Sequence, residues 1–307
     1  MIVSTSMIKG AFMIRYRRLG IALAALSIVL SQSLSDIAAG QTPVVAPAES
    51  KSSKCDHAKF RAILDVGHTV EEPGAISARG VSEYEFNLRL ARQIERKLLD
   101  AGFSKTLLLV TGGLAIPGLV QRVVAANKSA ANLFLSIHHD SVPDAFLENW
   151  EFEGKPNHFS DRFKGHSIFV SYENSNRNAS VLFGKLLGKE LKSRGLNYTP
   201  HYTEAIMGNR RRELLDAEVG VYRFDQLYVL RTTQMPAVLL EAGSIINRDE
   251  ELQMNTEKRQ ALIAAAVLDA VENYCALRGA RISAPPAQSA NGPAKQPTPK
   301  PVPAKKQ

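Results

Sequence analysis

Two histidines and two glutamates of this chain are of the types that could act together on one substrate bond: His68, Glu83, His138 and Glu241. Two imidazoles and one carboxylate form a common ligand set for catalytic zinc, which leaves a further position open for water. Zinc lowers the pKa of such water towards about 7, and a remaining carboxylate can carry its proton to a leaving amine. The residue types therefore indicate zinc-dependent hydrolysis with Glu241 as the base, although the spacing alone is a weak signal.

Three of these residues follow directly on short, mainly apolar runs of the kind that form buried strands: His68, His138 and Glu241. In an open α/β sheet, binding sites form at the carboxyl ends of the strands. We therefore expect the three side chains to converge at one edge of the sheet. A single histidine in such a place is more often structural than a ligand, so the prediction depends on the convergence.

Glu83 lies at the predicted start of a helix. The sequence Ser82-Glu83-Tyr84-Glu85 matches a capping box, with Ser82 as the N-cap and Glu85 three residues further on. In that interpretation Glu85 turns back to the end of its own helix. Glu83, at the first helical position, is then free to point towards the strand end that carries His68.

Strand and helix patterns alternate along the chain, which is typical of a sheet covered on both faces. We predict one α/β domain with a mainly parallel twisted sheet of about six strands and helices on both faces. The predicted strands are 60–66, 106–111, 133–138, 167–172, 226–231 and 237–241, and the predicted helices are 82–100, 118–128, 179–194 and 257–277. Two stretches, 141–165 and 197–225, do not fit the alternation and are expected to be functional or mobile loops.

The two ends of the chain differ from its body. Arg15, Arg17 and Arg18 precede a short apolar run and then small residues, the order of a secretory signal, so 1–40 is predicted to be a signal peptide. We read 41–56 as a linker, 57–278 as the catalytic domain, and the Pro/Ala/Lys-rich stretch 279–307 as a disordered tail. The protein is thus expected to be exported to the periplasm or cell envelope, with no membrane span once the signal is removed.

The positive charge belongs to these ends. Residues 1–40 carry a net +3 and residues 279–307 a net +5 of the overall +8, which leaves the body of the chain neutral. A neutral body argues against a nucleic-acid-binding core.

Cys55 and Cys275 flank the predicted domain. A disulfide between them is plausible in an oxidising compartment, but sequence does not show whether their Cα atoms come close enough, so the pairing stays open.

Several blocks of sequence around the four residues resemble the zinc-dependent N-acetylmuramoyl-L-alanine amidases of the amidase 3 type. The resemblance runs in order over about residues 60–277. The matching blocks are ILDVGH at 63–68, EPGA at 72–75, SEYEFNL at 82–88, LFLSIHHD at 133–140 and PAVLLEAGS at 236–244, together with Arg122, Ala126, Asn127 and Asn247.

This resemblance implies a single α/β domain that binds one Zn²⁺ through His68, Glu83 and His138 and uses Glu241 as the catalytic carboxylate. The implied substrate is peptidoglycan, and the implied reaction is hydrolysis of the amide between N-acetylmuramic acid and L-alanine. His139, Asp140 and Arg231 are the positions at which we expect contact with substrate.

The chain departs from the family pattern beside the site. Thr69 and Val70 stand where Gly-Gly is common, Glu72 replaces a usual Asp, and His139 occupies a usually small position. Family members often carry an inhibitory segment that an activator protein relieves, and 197–225 is the counterpart here. Three roles stay open for it: an inhibitory segment, a substrate-binding wall, or an inert surface insertion.

Two other functions remain alternatives. A zinc peptidase that cuts within the stem peptide would use the same metal chemistry and differ only in its product. A non-catalytic cell-wall-binding regulator would not need Glu241 beside a full ligand set. A glycosidase would need paired carboxylates but no imidazole ligands.

Overall fold

The apolar runs of the sequence form strands and amphipathic helices in a computed structural model that describes residues 55–283. The expected signal peptide, the linker up to Lys54 and the tail beyond Ser283 lie outside the described residues. The strands are β1 Ala62–Val66, β2 Leu107–Leu109, β3 Leu133–Asp140, β4 Glu148–Phe152, β5 Lys155–Phe159, β6 Ser167–Val170, β7 Glu213–Asp216, β8 Val221–Arg223 and β9 Ala237–Ser244. The helices are α1 Glu83–Asp100, α2 Ala115–Lys128, α3 Arg177–Ser193, α4 Tyr228–Thr232, α5 Arg248–Met254 and α6 Glu257–Ser283. Short 3₁₀ helices occupy Asp144–Phe146, His201–Thr203 and Ala205–Arg210.

Seven strands form one mixed sheet in the order β2-β1-β3-β9-β6-β8-β7. Neighbours β2, β1, β3 and β9 are parallel, so their carboxyl ends share one edge. β6 runs antiparallel to β9, β8 is parallel to β6, and β7 is antiparallel to β8. The prediction of a mainly parallel sheet in a single α/β domain is confirmed, with seven strands in place of about six.

Alternate strand residues face two different apolar layers, as the twofold period of a strand requires. Leu64 and Leu135 pack in one layer with α1, α3 and α6, whereas Ile63 and Phe134 pack in the other with α2 and α4. The sheet is therefore covered on both faces, and β1, β3 and β9 lie in its centre.

Helix α6 closes the first of these layers. Among the described residues its segment Glu257–Gly279 is long and apolar enough to cross a membrane by length and composition alone. Ile263, Val267 and Val271 are, however, buried in the core against α1 and α3, so its hydropathy is that of a core helix. The helix also continues beyond its predicted end at Leu277 to Ser283.

One predicted strand, 226–231, is wrong. The segment forms α4, in which the backbone N–H groups of Leu230 and Arg231 both donate to the carbonyl of Leu227. Val229 and Leu230 are buried, and a short apolar run of this kind satisfies either a strand or one buried helical turn.

The two stretches expected to be loops contain strands. Residues 141–165 hold the hairpin β4–β5, and residues 197–225 hold β7 and β8, which extend the main sheet. Strands of three to five residues give little periodic signal, which explains why the pattern missed them.

Cys55 and Cys275 form a disulfide, with Cα atoms 5.1 Å apart. The bond joins residues 220 positions apart and ties the entry segment to α6. The pairing left open by the sequence is therefore present in the structure.

Replacing both cysteines by serine is expected to lower the free energy of unfolding by about 2–5 kcal/mol, since the cross-link restricts the unfolded chain. Denaturant unfolding of the oxidised protein and the double variant measures this difference. Reductant should shift the wild-type transition and leave the variant unchanged. Identical transitions for oxidised and reduced wild type would contradict the prediction.

Candidate metal centre and its cavity

His68 directly follows Gly67, just after the carboxyl end of β1. Its backbone has a left-handed conformation, with φ of 67°. Gly67 donates its N–H to the carbonyl of Ile137 on β3, which holds the turn against the neighbouring strand. A Cβ atom at Gly67 would come within 2.4 Å of the imidazole of His138. Glycine before His68 is therefore what allows the two imidazoles to approach each other.

Glu83 is buried between these two histidines. Its Oε2 lies 3.0 Å from Nε2 of His68, and its Oε1 lies 2.9 Å from Nδ1 of His138. Ser82 caps α1 by accepting a hydrogen bond from the N–H of Glu85, and the exposed Glu85 carboxylate lies 3.2 Å from the Ser82 hydroxyl. The helix start thus separates the two acids in the way that the capping box predicts.

Other donors fix the carboxylate of Glu83. It accepts hydrogen bonds from the backbone N–H groups of Ala75 and His139 and from the side-chain amide of Asn87. Burial acts to raise the pKa of Glu83, but hydrogen bonds and charges from His138 and His68 outweigh it and hold that pKa well below its usual range. The ionised form of Glu83 is therefore favoured, and several donors hold its carboxylate.

The three side chains satisfy the chemical requirements of a zinc site. Each offers one ligand atom, and these atoms lie within 4.8 Å of one another. Tetrahedral zinc with ligands at about 2.0–2.2 Å would hold neighbouring ligand atoms about 3.3–3.6 Å apart, which lies between the contacts described above and the 4.8 Å limit. Two imidazoles and one ionised carboxylate also match the donor types of catalytic zinc.

Glu241 on β9 is the register partner of His138 on β3 and lines the same cavity as the three ligand candidates. Its Oε2 is buried and has no hydrogen-bond partner among the described residues. Burial raises the pKa of Glu241 well above its ordinary value, and the charges of Asp140 and Glu83 add to the effect. The structure thus brings all four predicted residues to one cavity of about 360 Å³.

His139 and Asp140 also line this cavity, beside a register shift between β3 and β9. Nδ1 of His139 lies 2.8 Å from Oδ1 of Asn87, and burial lowers the pKa of His139 to about 3. The hydroxyl of Tyr202 donates a hydrogen bond to Asp140. Burial raises the pKa of Asp140 to about 7, although this hydrogen bond acts to lower it. Contact of either residue with substrate stays a prediction.

Arg231 lies elsewhere. It belongs to α4, where its Nη1 is 3.7 Å from the carboxylate of Glu173, and it is not among the described residues that line the cavity. Its predicted contact with substrate therefore has no support from its position.

The sequence reasoning missed side chains that the segment 197–225 contributes to the cavity. Tyr202, Arg210, Arg212 and Phe224 line the cavity. The available signals were the unusual length of this segment and its charged residues at 210–213, and neither assigned a side chain to the site. The segment therefore contributes to the wall of the cavity, and its role stays a prediction.

An α/β domain with a His-Glu-His cluster near the carboxyl edge of its sheet, beside a buried carboxylate, has the donor types of a metal-binding site. Residues 62–273 match the amidase 3 family model, described as N-acetylmuramoyl-L-alanine amidase. The chain belongs to this family, in which zinc is a common feature.

Individual relatives agree with this assignment. The chain is 23% identical over 211 residues to a putative N-acetylmuramoyl-L-alanine amidase of Buchnera aphidicola, covering 69% of this chain and 94% of the relative. It is 26% identical over 256 residues to the amidase AmiA of Salmonella typhimurium, covering 76% and 86%.

Solved structures show the same fold. The catalytic domain of the amidase CwlV from Bacillus (Paenibacillus) polymyxa superposes with a TM-score of 0.51 at 26% identity, covering 70% of this chain and 97% of that domain. An N-acetylmuramyl-L-alanine amidase of Mycobacterium smegmatis gives a TM-score of 0.54 at 17% identity, covering 71% and 97%.

Proposed function

We propose that this protein hydrolyses the amide between the lactyl group of N-acetylmuramic acid and L-alanine in peptidoglycan, with one zinc ion and Glu241 as general base and acid. The observation that carries the proposal is the convergence of His68, Glu83 and His138 on one point beside Glu241. Membership of the amidase family supplies the substrate.

The site residues would have two different roles, metal binding and proton transfer. His68, Glu83 and His138 would hold the zinc, which supplies Lewis-acid activation of the amide carbonyl and of water. Glu241 would accept a proton from water and return it to the departing L-alanine nitrogen, since an amine anion is a poor leaving group. A divalent cation beside Glu241 would also favour its ionised form, against the burial and neighbouring carboxylates that raise its pKa.

The sheet also positions Glu241. The pairing of β9 with β3 fixes its backbone opposite that of His138. Its free Oε2 has no competing protein donor among the described residues, so this oxygen is available to water or to the leaving amine. The site is consistent with a base that is positioned by the sheet and left unpaired for its proton transfers.

The proposal is tested by digestion of purified sacculi with the mature, zinc-loaded protein and mass spectrometry of the products. We expect free stem peptides that begin with the amine of L-alanine, and glycan that carries an intact lactyl carboxylate. Cleavage inside the peptide would instead identify a zinc peptidase. Binding to sacculi without release of either product, also in the presence of cell-envelope extract, would identify a non-catalytic regulator.

Export and activation are further parts of the proposal. A peptidoglycan substrate and a disulfide both suit an exported protein of the periplasm or cell envelope. The family resemblance also suggests an activator protein that relieves inhibition. The cavity beneath residues 197–225 favours a protein that is active alone, so the sacculus digestion should succeed before envelope extract is added.

A further inference from the structure

Two cavities meet at the candidate metal centre. His68 and His138, together with Leu227 and Leu239, line both the 360 Å³ cavity that contains Glu241 and a second cavity of about 300 Å³. A scissile amide placed at these histidines would have one half of the substrate in each cavity. The two halves differ in charge, because the lactyl carboxyl of the sugar is consumed in the amide, whereas stem peptides carry free carboxylates.

The second cavity offers no free cation to a carboxylate, so it is the one left for the uncharged half. Leu119 and Val229 form part of its wall. Its one cation, Arg122, is buried and already committed to the carbonyl of His68, to Thr111 and to Asp65. Its other charged residue is the acid Glu72, which would repel a carboxylate.

The cavity of Glu241 differs because two guanidinium groups line it, those of Arg210 and Arg212. Arg212 is held in place: its guanidinium lies 3.7 Å from the ring centre of Phe224, and its Nη1 donates to the carbonyls of Asn209 and Arg211. Arg210 is exposed and has no hydrogen bond or ion pair with a described residue. One cation at this cavity therefore has its bonding capacity free.

Arg210 nevertheless lines the same cavity as Asp140, Glu241 and Arg212. Because its guanidinium has no partner among the described residues, it is available to pair with an anionic group of a ligand in this cavity.

We propose that Arg210 recognises a carboxylate on the peptide side of the scissile amide, and so fixes the direction in which the substrate lies. The inference rests on the proposed function. The nearest such group in a stem peptide is the free α-carboxylate of the γ-linked D-glutamate that follows L-alanine. The peptide thus occupies the Arg210 cavity and the sugar occupies the apolar one.

The test compares two muramyl tripeptides, MurNAc-L-Ala-γ-D-Glu-L-Lys, that differ only in whether the glutamate α-group is a carboxylate or a carboxamide. We expect wild type to hydrolyse the carboxylate form with about tenfold higher kcat/KM, the scale of one charge-assisted hydrogen bond at a partly exposed site. Arg210→Gln should abolish this preference, and Arg210→Lys should retain part of it. Arg211→Gln is the matched control, since Arg211 is exposed, lies outside the cavity and should leave the preference unchanged.

A loss of activity by Arg210→Gln that is equal for both substrates would overturn the inference, because it would show that Arg210 only balances the charge of Asp140 and Glu241. Calorimetric binding of the two free tripeptides provides a second readout without hydrolysis. Wild type should bind the carboxylate form more tightly, and Arg210→Gln should bind both equally. If neither muramyl tripeptide is cleaved, the proposed function fails. The binding measurements still decide whether Arg210 is an anion site. Equal binding of the two free tripeptides by wild type would reject that role of Arg210.

Discussion

Glu241→Gln is expected to reduce kcat on sacculi by between about a hundredfold and ten-thousandfold, the usual contribution of a positioned general acid–base group. The amide has nearly the same shape as the carboxylate, so the pairing of β9 with β3 should persist. Glutamine cannot accept the proton of water and return it to an amine. Zinc content should stay at one ion per chain, because His68, Glu83 and His138 remain intact.

Three measurements make this expectation specific: hydrolysis rate, zinc content by mass spectrometry, and thermal unfolding. Glu218→Gln provides a matched control, because Glu218 is an exposed acid away from the cavity and its replacement should change none of the three. Normal turnover by Glu241→Gln would remove Glu241 from the mechanism. Loss of zinc together with activity would instead make it part of the metal site.

The retained stability of this variant has a physical basis. The buried Oε2 of Glu241 lacks a hydrogen-bond partner among the described residues, so replacing the carboxylate by an amide breaks no hydrogen bond at that atom. The neighbouring charges of Asp140 and Glu83 also disfavour the ionised carboxylate. We therefore expect Glu241→Gln to unfold at a temperature equal to or above that of the metal-free wild type, as is common where function requires a destabilised group.

The centre of the site was predictable from sequence because its residues lie near the carboxyl ends of central strands or at the start of a helix. His68 follows β1, His138 and Glu241 lie two and three residues before the ends of β3 and β9, and the N-cap Ser82 determines the direction of Glu83. These are local rules that depend on a few neighbouring residues. The family resemblance then added the substrate, which local rules do not contain.

The walls of the site were not predictable in the same way. Tyr202 and Arg210 come from irregular 3₁₀ turns, whose course depends on long-range contacts such as the bond from Arg212 N–H to the carbonyl of Tyr202. His139 also lines the cavity although it neighbours His138 in β3, a placement that the alternation of side chains along a strand does not predict. The strand predicted at 226–231 failed because burial of Val229 and Leu230 fits a helical turn equally well.

The removal of charge from Glu83 is expected to have the largest effect on metal binding. Glu83→Gln should weaken zinc affinity by more than about a hundredfold, beyond the usual cost of losing a group that only supports a ligand. The carboxylate lies within 3.0 Å of both imidazoles, and its ionised form is what the two histidines stabilise. A neutral amide provides a poorer ligand and presents an N–H₂ group where backbone N–H groups already donate.

The measurement is the shift in unfolding temperature that zinc causes in each protein. This shift is compared, rather than the unfolding temperature itself, because Glu83→Gln also loses hydrogen bonds in the metal-free state. Zinc at about a hundred times its dissociation constant stabilises a folded protein by about 2.7 kcal/mol, so wild type should show a clear shift and Glu83→Gln little or none. Glu85→Gln, two residues along the same helix on an exposed side chain, should keep the full shift and normal hydrolysis. A zinc-dependent shift that is lost in Glu85→Gln and kept in Glu83→Gln would reverse the roles that the helix cap gives to the two acids.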